Sequence, residues 1–292
     1  MLTIRHLSKT YANGVHALKN INLDIPPGMF GLLGPNGAGK SSLMRTIATL
    51  QEPDSGSITL DGLDLLADKN AARCLLGYLP QDFGVYPKVS SEVLLDHFAV
   101  LKGLTAKGER KDVVEALLRQ VNLWEVRKQK LGGFSGGMRQ RFGIAQALLG
   151  DPKLVIVDEP TAGLDPEERN RFLNLLASIG EQVVVILSTH IVDDVTDLCP
   201  RMAIVRKGEV LLTGEPRAAI ATLAGQIWRK SVRADQLDDC QQRYTVLSTR
   251  LVGGAPVIHV HSQGCPDDGF EQIEPDLEDV YFSCLRSPAR AA

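Results

Sequence analysis

A phosphate-binding loop is indicated near the N-terminus by eight consecutive residues, Gly34-Pro35-Asn36-Gly37-Ala38-Gly39-Lys40-Ser41. Glycines allow successive backbone N–H groups to converge on phosphate oxygens, and the N-terminus of a following helix adds partial positive charge. The segment lies between an apolar strand-like run, residues 29–33, and a helical stretch from Ser42 to residue 50. We expect Lys40 to neutralise β- and γ-phosphates, Ser41 to coordinate Mg²⁺, and Ser42 to belong to the nucleotide site. A chance glycine turn is the alternative, and the flanking strand and helix argue against it.

Two adjacent acids, Asp158 and Glu159, follow an apolar strand-like run over residues 154–157. In open parallel sheets, ligands bind at the C-terminal ends of the strands. Adjacent carboxylates repel each other, so this position is expected to hold a cation. We expect Asp158 to contribute to the Mg²⁺ shell and Glu159 to orient, or accept a proton from, water that attacks the γ-phosphate. A solvated acidic turn is the alternative interpretation.

A second glycine-rich turn, Ser135-Gly136-Gly137, leads into a helical segment over residues 139–149. Its hydroxyl and backbone amides form another helix N-terminus that can receive an anion. One nucleotide does not need two such helices. If the second turn contacts the γ-phosphate bound by another copy of the chain, a two-fold dimer has two equal composite sites. An ordinary glycine N-cap is the alternative.

The pattern between these loops predicts an α/β fold with a mostly parallel sheet covered by helices. The first sixty residues are richer in strands and predict an antiparallel β flank. Residues 90–150 are expected to form an inserted helical subdomain, in which one helix buries Val113, Val114, Leu117, Leu118 and Val121. After residue 216 the pattern of apolar and polar residues changes. It predicts strands at 227–232, 244–251 and 257–260 and a helix at 276–285. The sequence therefore predicts a P-loop NTPase core over residues 1–216 and a small C-terminal α+β extension over residues 217–292.

The order of the motifs resembles that of ATP-binding subunits of ABC transporters. The phosphate loop is followed by Gln81 after a strand, the Ser-Gly-Gly turn, the acid pair, Ala162-Gly163-Leu164-Asp165, and His190 after another strand. The resemblance covers about residues 1–216. It implies two bound Mg-ATP per dimer, with residues 135–138 acting as the signature loop on ATP held by the partner subunit.

Carried over to single positions, the resemblance makes Tyr11 the aromatic residue that stacks on adenine. It makes Gln81 the link between the Mg²⁺ or attacking water and a transmembrane interface. Asp165 is implied to connect the two sites across the dimer, and His190 to hydrogen-bond the γ-phosphate. Each residue has an alternative interpretation when it is considered alone. Tyr11 would then be a half-buried strand residue, Gln81 a polar loop residue, and His190 a structural histidine at a strand end.

The signature loop departs from the family's common Leu-Ser-Gly-Gly-Gln at two positions. Phe134 replaces the leucine and Met138 replaces the glutamine. Because Ser135 and both glycines are retained, we expect the anion contact to survive, while any polar contact from the fifth position is lost. Glu159 is intact, so we expect hydrolysis as well as binding of ATP.

Composition limits the remaining functions of the 292-residue chain. The net charge is −3, which offers no sequence-wide basic field and disfavours nucleic acid as the main partner. No run approaches the ~20 apolar residues of a membrane-spanning helix, and the N-terminus lacks the pattern of a secretion signal. The five cysteines are widely spaced and predict neither a disulfide framework nor a zinc site, which fits a reducing cytoplasm.

The C-terminal segment, residues 275–282, resembles the Leu-Glu-Asp-Val-Phe segment of cassettes that pair with ABC-2-type membrane subunits. A plain amphipathic helix that buries Leu277, Val280 and Tyr281 is the alternative. We therefore predict an ATPase subunit that pairs with a second copy or a homologous subunit. It is expected to drive a separate permease, in an exporter, from the cytoplasmic face of the cell membrane. A soluble ABC-type ATPase acting on ribosomes or nucleic acid is the alternative function, disfavoured by the single phosphate loop and the absence of heptads or zinc spacing.

Overall fold

The computed structural model describes residues 1–181 and 183–286, and the chain divides into two compact units. The first unit contains residues 1–200 and 205–210, and the second contains residues 201–204 and those from 211 onward. The last six residues of the predicted extension, 287–292, lie outside the described residues. The boundary at residue 216 between an ATP-binding domain and an accessory domain stays a prediction.

The first unit begins with strands that form an antiparallel flank and the first part of a parallel sheet. Its elements up to residue 79 are β1 (Leu2–Thr10), β2 (His16–Ile25), β3 (Gly28–Leu33), α1 (Lys40–Ile47), β4 (Ser55–Leu60), β5 (Leu63–Asp64), α2 (Lys69–Cys74) and β6 (Leu76–Leu79). The flank has the antiparallel order β2-β1-β4-β5. Leu2, Ile4 and Leu7 of β1 are fully buried and anchor this sheet.

The rest of the first unit adds the helical segment and the remaining parallel strands. Its elements are α3 (Ser91–Leu101), α4 (Lys107–Gln120), α5 (Gly136–Ala147), β7 (Leu154–Asp158), α6 (Pro166–Gly180), β8 (Val184–Thr189) and α7 (Val192–Leu198). Four neighbouring strands run parallel in the order β3-β8-β7-β6. Every residue of β7 and β8 is buried, which explains their continuous apolar sequence. Because the strands are parallel, the segments that follow them emerge at one edge of the sheet.

The predicted helical face in the middle of the unit is largely observed. On α4, Val114, Leu117 and Leu118 are buried, and Val121 is buried just after the helix ends. Val113, which the pattern also assigned to this face, is only half-buried. Its neighbour α3 begins at the N-cap Ser90, whose hydroxyl accepts the Val93 N–H at 3.5 Å.

The second unit is a small α+β fold that follows two strands divided between the units. The elements from residue 201 are β9 (Arg201–Arg206), β10 (Glu209–Gly214), α8 (Pro216–Ala221), β11 (Ile227–Ser231), α9 (Leu237–Arg243), β12 (Val246–Val252), β13 (Ala255–His261), β14 (Glu271–Gln272) and α10 (Leu277–Arg286). The last four strands form an antiparallel sheet in the order β12-β13-β11-β14. The three predicted strand-like runs and the terminal helix are observed, whereas α8, α9 and β14 were not predicted.

Both hydrophobic burial and a polar contact hold the second unit together. One cluster contains Val246, Ile258, Val260 and Phe270 with α9. The apolar residues of α10, Leu277, Val280 and Tyr281, are buried. The sheet and α10 also share a buried polar pair, in which His259 Nδ1 lies 2.9 Å from Asp279 Oδ1.

In the part of the chain that the structure describes, no helix combines the length and hydropathy needed to cross a membrane. The five cysteines are all free thiols, two of them exposed.

Candidate functional site

The glycine-rich loop connects the buried strand β3 to α1 in the conformation that a phosphate cradle requires. Gly39 immediately precedes α1 with φ at +106°, and a Cβ built there would lie 2.4 Å from the Ala17 carbonyl oxygen. Only glycine fits this close approach at this backbone angle. The first N–H groups of α1 therefore face a cleft with a volume of about 700 Å³.

Lys40 is a buried cation at the start of α1, with a side chain that is only 5% exposed. Its Nζ donates hydrogen bonds to the carbonyl oxygens of Gly34 at 2.6 Å and Pro35 at 3.4 Å, and lies 3.7 Å from Glu159 Oε1. Burial lowers the pKa of Lys40, and the carboxylates of Glu159 and Asp158 offset part of that effect. An anionic phosphate in the cradle would complete the neutralisation of this ammonium.

Asp158 ends β7 as a carboxylate that is 4% exposed. Burial raises its pKa, the charge of Glu159 acts in the same direction, and the Ser41 and Ser188 hydroxyls and Lys40 oppose the rise. Among the described residues, neither Asp158 Oδ1 nor Ser188 Oγ has a hydrogen-bond partner of normal geometry. An unpartnered buried carboxylate oxygen close to a serine hydroxyl suits a hard cation such as Mg²⁺, which prefers oxygen ligands.

Glu159 is the residue on which the side chains of the site converge. Its Oε2 lies 3.2 Å from His190 Nδ1 and accepts a hydrogen bond of 3.5 Å from Gln81 Nε2, while its Oε1 faces Lys40. Its φ is +46°, a left-handed conformation that non-glycine residues rarely adopt and that costs about 1–3 kcal/mol. Its N–H donates to the Ser188 carbonyl oxygen at 2.9 Å, which fixes the strained residue beside β8.

The residues around Glu159 come from the ends of neighbouring strands. Gln81 follows β6, Glu159 follows β7 and His190 follows β8, and the three strands are adjacent and parallel. His190 is 51% exposed, so its imidazole remains accessible to solvent. Four residues that are far apart in the sequence, these three and Lys40, thus meet at one edge of the sheet.

Tyr11 lies at the mouth of the cleft, just after β1 ends. Its hydroxyl lies 2.9 Å from Ser42 Oγ and donates to Gln51 Oε1 at 3.0 Å. The structure places Tyr11 and Ser42 together with the loop residues from Pro35 to Ser41 around the same cleft. A planar base entering beside Tyr11 would meet a ring whose orientation is fixed at its hydroxyl end.

The signature turn caps its own helix within the chain. Ser135 is the N-cap of α5, and its Oγ accepts the Met138 N–H at 3.2 Å. Gly137 allows a close approach, because a Cβ there would lie 2.2 Å from Glu168 Oε2 on α6. Phe134 is buried, so the aromatic replacement of the family's leucine serves packing, and Met138 is half-buried.

Asp165 has the same local role at the start of α6, where its Oδ1 accepts the Glu168 N–H at 2.9 Å. Among the described residues that line the phosphate cleft, none belongs to the signature turn or to the segment that ends at Asp165. A single chain therefore brings together the phosphate loop, Asp158, Glu159, Gln81 and His190, and leaves Ser135, Gly136, Gly137 and Asp165 apart from them.

The cleft also has wall residues that the sequence analysis did not identify. They are Val15, His16, Ala17 and Lys19 on the β1–β2 side and Lys207 in the turn after β9. The Lys19 N–H donates to the Gly208 carbonyl oxygen at 2.8 Å, which joins the two walls. Lys207 and Gly208 form a Lys-Gly turn, a pattern that is too common in protein sequences to indicate a nucleotide-binding site.

Comparisons with known proteins extend these observations. The sequence profile described as "ABC transporter" matches residues 18–162. The "Uncharacterized ABC transporter ATP-binding protein YxlF" of Bacillus subtilis (strain 168) is 32% identical over 98% of this chain and 100% of its own length. The "Methionine import ATP-binding protein MetN" of Vibrio cholerae is 34% identical over 92% of this chain and 81% of its own. The "Probable multidrug ABC transporter ATP-binding protein YbhF" of Escherichia coli (strain K12) is 32% identical over 87% of this chain, which spans only 46% of that relative's length.

A solved structure shares the fold of most of the chain. It is the "Dimeric structure of a post-hydrolysis state of the ATP-binding cassette MJ0796 bound to ADP and Pi", with a TM-score of 0.67 and 27% identity. The similarity covers 74% of this chain and 98% of that cassette.

Proposed function

The chain belongs to the ABC transporter family of ATP-hydrolysing cassettes, and we propose that two copies, or one copy and a homologous subunit, close on two Mg-ATP to drive a separate transmembrane permease. The observation that carries this proposal is the convergence of Lys40, Gln81 and His190 on the strained carboxylate of Glu159. The proposed location is the cytoplasmic face of the cell membrane, where the permease would hold the cassette.

Each residue of this cluster has a separate task in the proposed hydrolysis. The Glu159 carboxylate orients water beside the γ-phosphate and accepts its proton. Lys40 and the N–H groups at the start of α1 neutralise the phosphate oxygens, and His190 hydrogen-bonds the γ-phosphate. Asp158, Ser41 and Gln81 would hold Mg²⁺, which supplies charge neutralisation at the phosphates when it is bound.

The composite dimer site is supported by the position of the signature turn, which lies outside the phosphate cleft of its own chain. Ser135 and Gly136 are exposed, and together with the buried Gly137 they form a helix N-terminus outside the phosphate cleft. The similar cassette MJ0796 is described as dimeric with ADP and phosphate. In a two-fold dimer, the α5 N-terminus of one subunit would face the γ-phosphate bound by the other, and Asp165 would lie between the two sites.

A second cleft in the first unit offers a docking place for the permease. It has a volume of about 360 Å³ and lies between the ends of α1 and α2, strand β6, and helices α3 and α5. Leu50 and Leu101 stand at its edge and are 60% and 71% exposed. We propose that it receives a short amphipathic helix of the permease, because such a helix can cover exposed leucines with its apolar face.

Strand β6 connects this second cleft to the catalytic cluster. Leu76, Gly77 and Tyr78 line the cleft, and the chain reaches Gln81 only three residues later. A helix that presses on β6 would therefore displace Gln81 relative to Glu159. This short path is the proposed route by which nucleotide hydrolysis and movement of the permease are coupled.

We propose export as the direction of transport, with an ABC-2-type permease. The support is the C-terminal segment at residues 275–282 and the similarity to YbhF, which is named as a multidrug transporter subunit. MetN, an import protein by name, is comparably similar. Vesicles that contain the complex therefore provide the decisive measurement, because accumulation or release of a labelled substrate gives the direction itself.

The catalytic assignment is tested by Glu159→Gln in the purified chain. We expect Mg-dependent ATP hydrolysis to fall by ~100-fold or more while ATP binding is retained, because a general base contributes about 10²–10⁴-fold. Glu125→Gln provides a matched control, since Glu125 is exposed and outside the cleft. Full hydrolysis by Glu159→Gln would show that another group activates the water.

The docking assignment is tested by Leu101→Asp, with Leu251→Asp as the control on an exposed leucine of β12. We expect the first variant to hydrolyse ATP normally when isolated but to lose co-purification with a membrane protein from detergent-solubilised membranes. The second should behave as wild type in both assays. Co-purification of the wild-type chain with ribosomes in place of a membrane protein would refute the transporter proposal.

A further inference from the structure

A single buried carboxylate, that of Asp194 on α7, holds together two segments of the site. Asp194 is 0% exposed. Its Oδ1 accepts hydrogen bonds from Nε and Nη2 of Arg169, at 2.9 and 2.7 Å. Its Oδ2 accepts hydrogen bonds from the hydroxyls of Thr161, at 2.9 Å, and Thr189, at 3.4 Å. Each oxygen thus accepts two hydrogen bonds from protein side chains.

Two of these partners lie on the segment that carries Glu159. Thr161 is the second residue after Glu159, in the turn where the Ala162 N–H donates to the Glu159 carbonyl oxygen at 3.3 Å. Arg169 lies in α6, one turn after the N-cap Asp165. Asp194 therefore fixes the connection between β7 and α6 at both of its ends.

The third partner lies on the segment that carries His190. The Thr189 hydroxyl donates to Asp194 and also accepts the Ile191 N–H at 2.9 Å, so it spans the backbone on either side of His190. The His190 side chain is half exposed, so packing restrains only part of it. Its position, 3.2 Å from Glu159, therefore depends on the backbone that Thr189 holds.

We propose that Asp194 is a positioning residue that sets the distance between His190 and Glu159 through the hydroxyls of Thr189 and Thr161. The inference rests on the roles proposed above for Glu159 and His190. Asp194 is buried away from the cleft and is not a catalytic residue. A buried charge with four hydrogen bonds in two fixed directions leaves little freedom to the segments it joins. Small displacements of reacting groups reduce catalysis strongly.

The experiment removes single hydroxyls and leaves the charge pair of Asp194 and Arg169 intact. In Thr161→Val and Thr189→Val, we expect kcat for ATP hydrolysis to fall by ~10-fold with KM nearly unchanged, because displacement affects the transition state more than binding. The corresponding serine variants retain the hydroxyl and should restore kcat. Thr196→Val is the matched control, because its hydroxyl bonds only the Val192 carbonyl oxygen on the exposed side of α7.

A double-mutant cycle separates positioning from stability. If Thr189 acts through His190, then Thr189→Val should lower kcat in the wild-type background and leave it unchanged in a His190→Ala background. A role confined to stability would instead lower the melting temperature, with kcat per folded molecule unchanged in both backgrounds.

The outcomes distinguish this inference from the proposed function. Wild-type kcat in both valine variants, or equal effects of Thr189→Val with and without His190, would overturn the positioning role. Full activity of His190→Ala would refute the role proposed for His190 itself. Reduced kcat in the valine variants, rescue by serine and loss of the effect without His190 would together establish the positioning role.

Discussion

Replacing Asp158 with asparagine should make the ligand-free chain more stable, although it removes a carboxylate assigned to Mg²⁺. Asp158 is buried, its Oδ1 has no hydrogen-bond partner among the described residues, and burial raises its pKa. A raised carboxyl pKa means that the folded chain prefers the neutral form of this side chain. Asparagine has the same shape without the charge.

The size of the gain follows from the charge that the substitution removes. A buried unsatisfied polar group costs ~1–3 kcal/mol, and a charged group costs more than a neutral one. The nearby Lys40 ammonium and the Ser41 and Ser188 hydroxyls offset part of this, so we expect a net gain of ~1–2 kcal/mol. For a folding unit of this size, 1 kcal/mol shifts the melting temperature by about 2–4 °C, so Asp158→Asn should raise it by about 2–8 °C.

Calorimetric or fluorimetric melting at several pH values provides the assay. Because the pKa of Asp158 is raised in the folded chain, its buried charge destabilises the wild-type fold only while the carboxylate is ionised. This destabilisation disappears as the pH falls through the folded pKa towards the ordinary carboxyl value. The difference between Asp158→Asn and wild type should therefore be largest near neutral pH and narrow in acid. Asp112→Asn on the exposed side of α4 should change stability by less than ~0.5 kcal/mol.

Added ligand should reverse the order of the two proteins. At about 100 times the dissociation constant, Mg-ATP adds ~2.7 kcal/mol to the wild type, and Asp158→Asn should gain less because it binds Mg²⁺ less well. A lower melting temperature for ligand-free Asp158→Asn at neutral pH would refute the reasoning. It would mean that the attraction between Asp158 and Lys40 exceeds the effect of burial.

Three further predictions concern the composite site, the packing of β6 and the second unit. Mixing a Lys40→Ala chain with a Ser135→Arg chain should leave one competent site in each mixed dimer and restore part of the ATPase activity. Folded mixtures with no activity would contradict the composite site. Gly77→Ala should lower the free energy of unfolding by ~1–3 kcal/mol, since its Cβ would lie 2.1 Å from the last carbonyl oxygen of α5. Gly84→Ala, with open space around it, should be neutral in the same denaturant titration. Asp279→Ala should lower unfolding stability by ~1–3 kcal/mol, because a buried histidine on β13 loses its partner. Unchanged denaturation of Asp279→Ala would show that this pair contributes nothing net.

The parts of the site that the sequence could predict are those encoded within a few residues. The phosphate loop and the acid pair each follow a buried strand directly, so strand ends and chemistry appear together in one short segment. The parallel sheet then brings these ends to one edge, which the alternation of strands and helices already implied. The small extension was predicted as α+β for the same reason, from strand-sized apolar runs.

Long-range polar contacts could not be predicted in this way. Thr161 and Asp194 are 33 positions apart and meet only because α7 packs beside β8. From the sequence alone, an aspartate in a helical segment that also contains apolar residues is expected to face solvent. Asp194 is instead fully buried. Likewise, nothing local indicates the left-handed φ of Glu159, whose N–H donates to the Ser188 carbonyl oxygen on the neighbouring strand. Such features depend on which elements pack together, and single-residue patterns do not carry that information.

The strand order of the sheet has a consequence for biosynthesis. The strand before the phosphate loop, β3, pairs from Gly28 to Leu33 with β8, which leaves the ribosome only after the whole helical segment and β7. Contacts between such distant parts of a chain form slowly, and until then β3 has no partner along this edge. A nascent chain therefore carries a completed ATP-binding motif long before it carries a completed ATP site. A chaperone that covers this edge should increase the yield of active protein, because it reduces the chance that exposed β3 associates with another chain before β8 is synthesised.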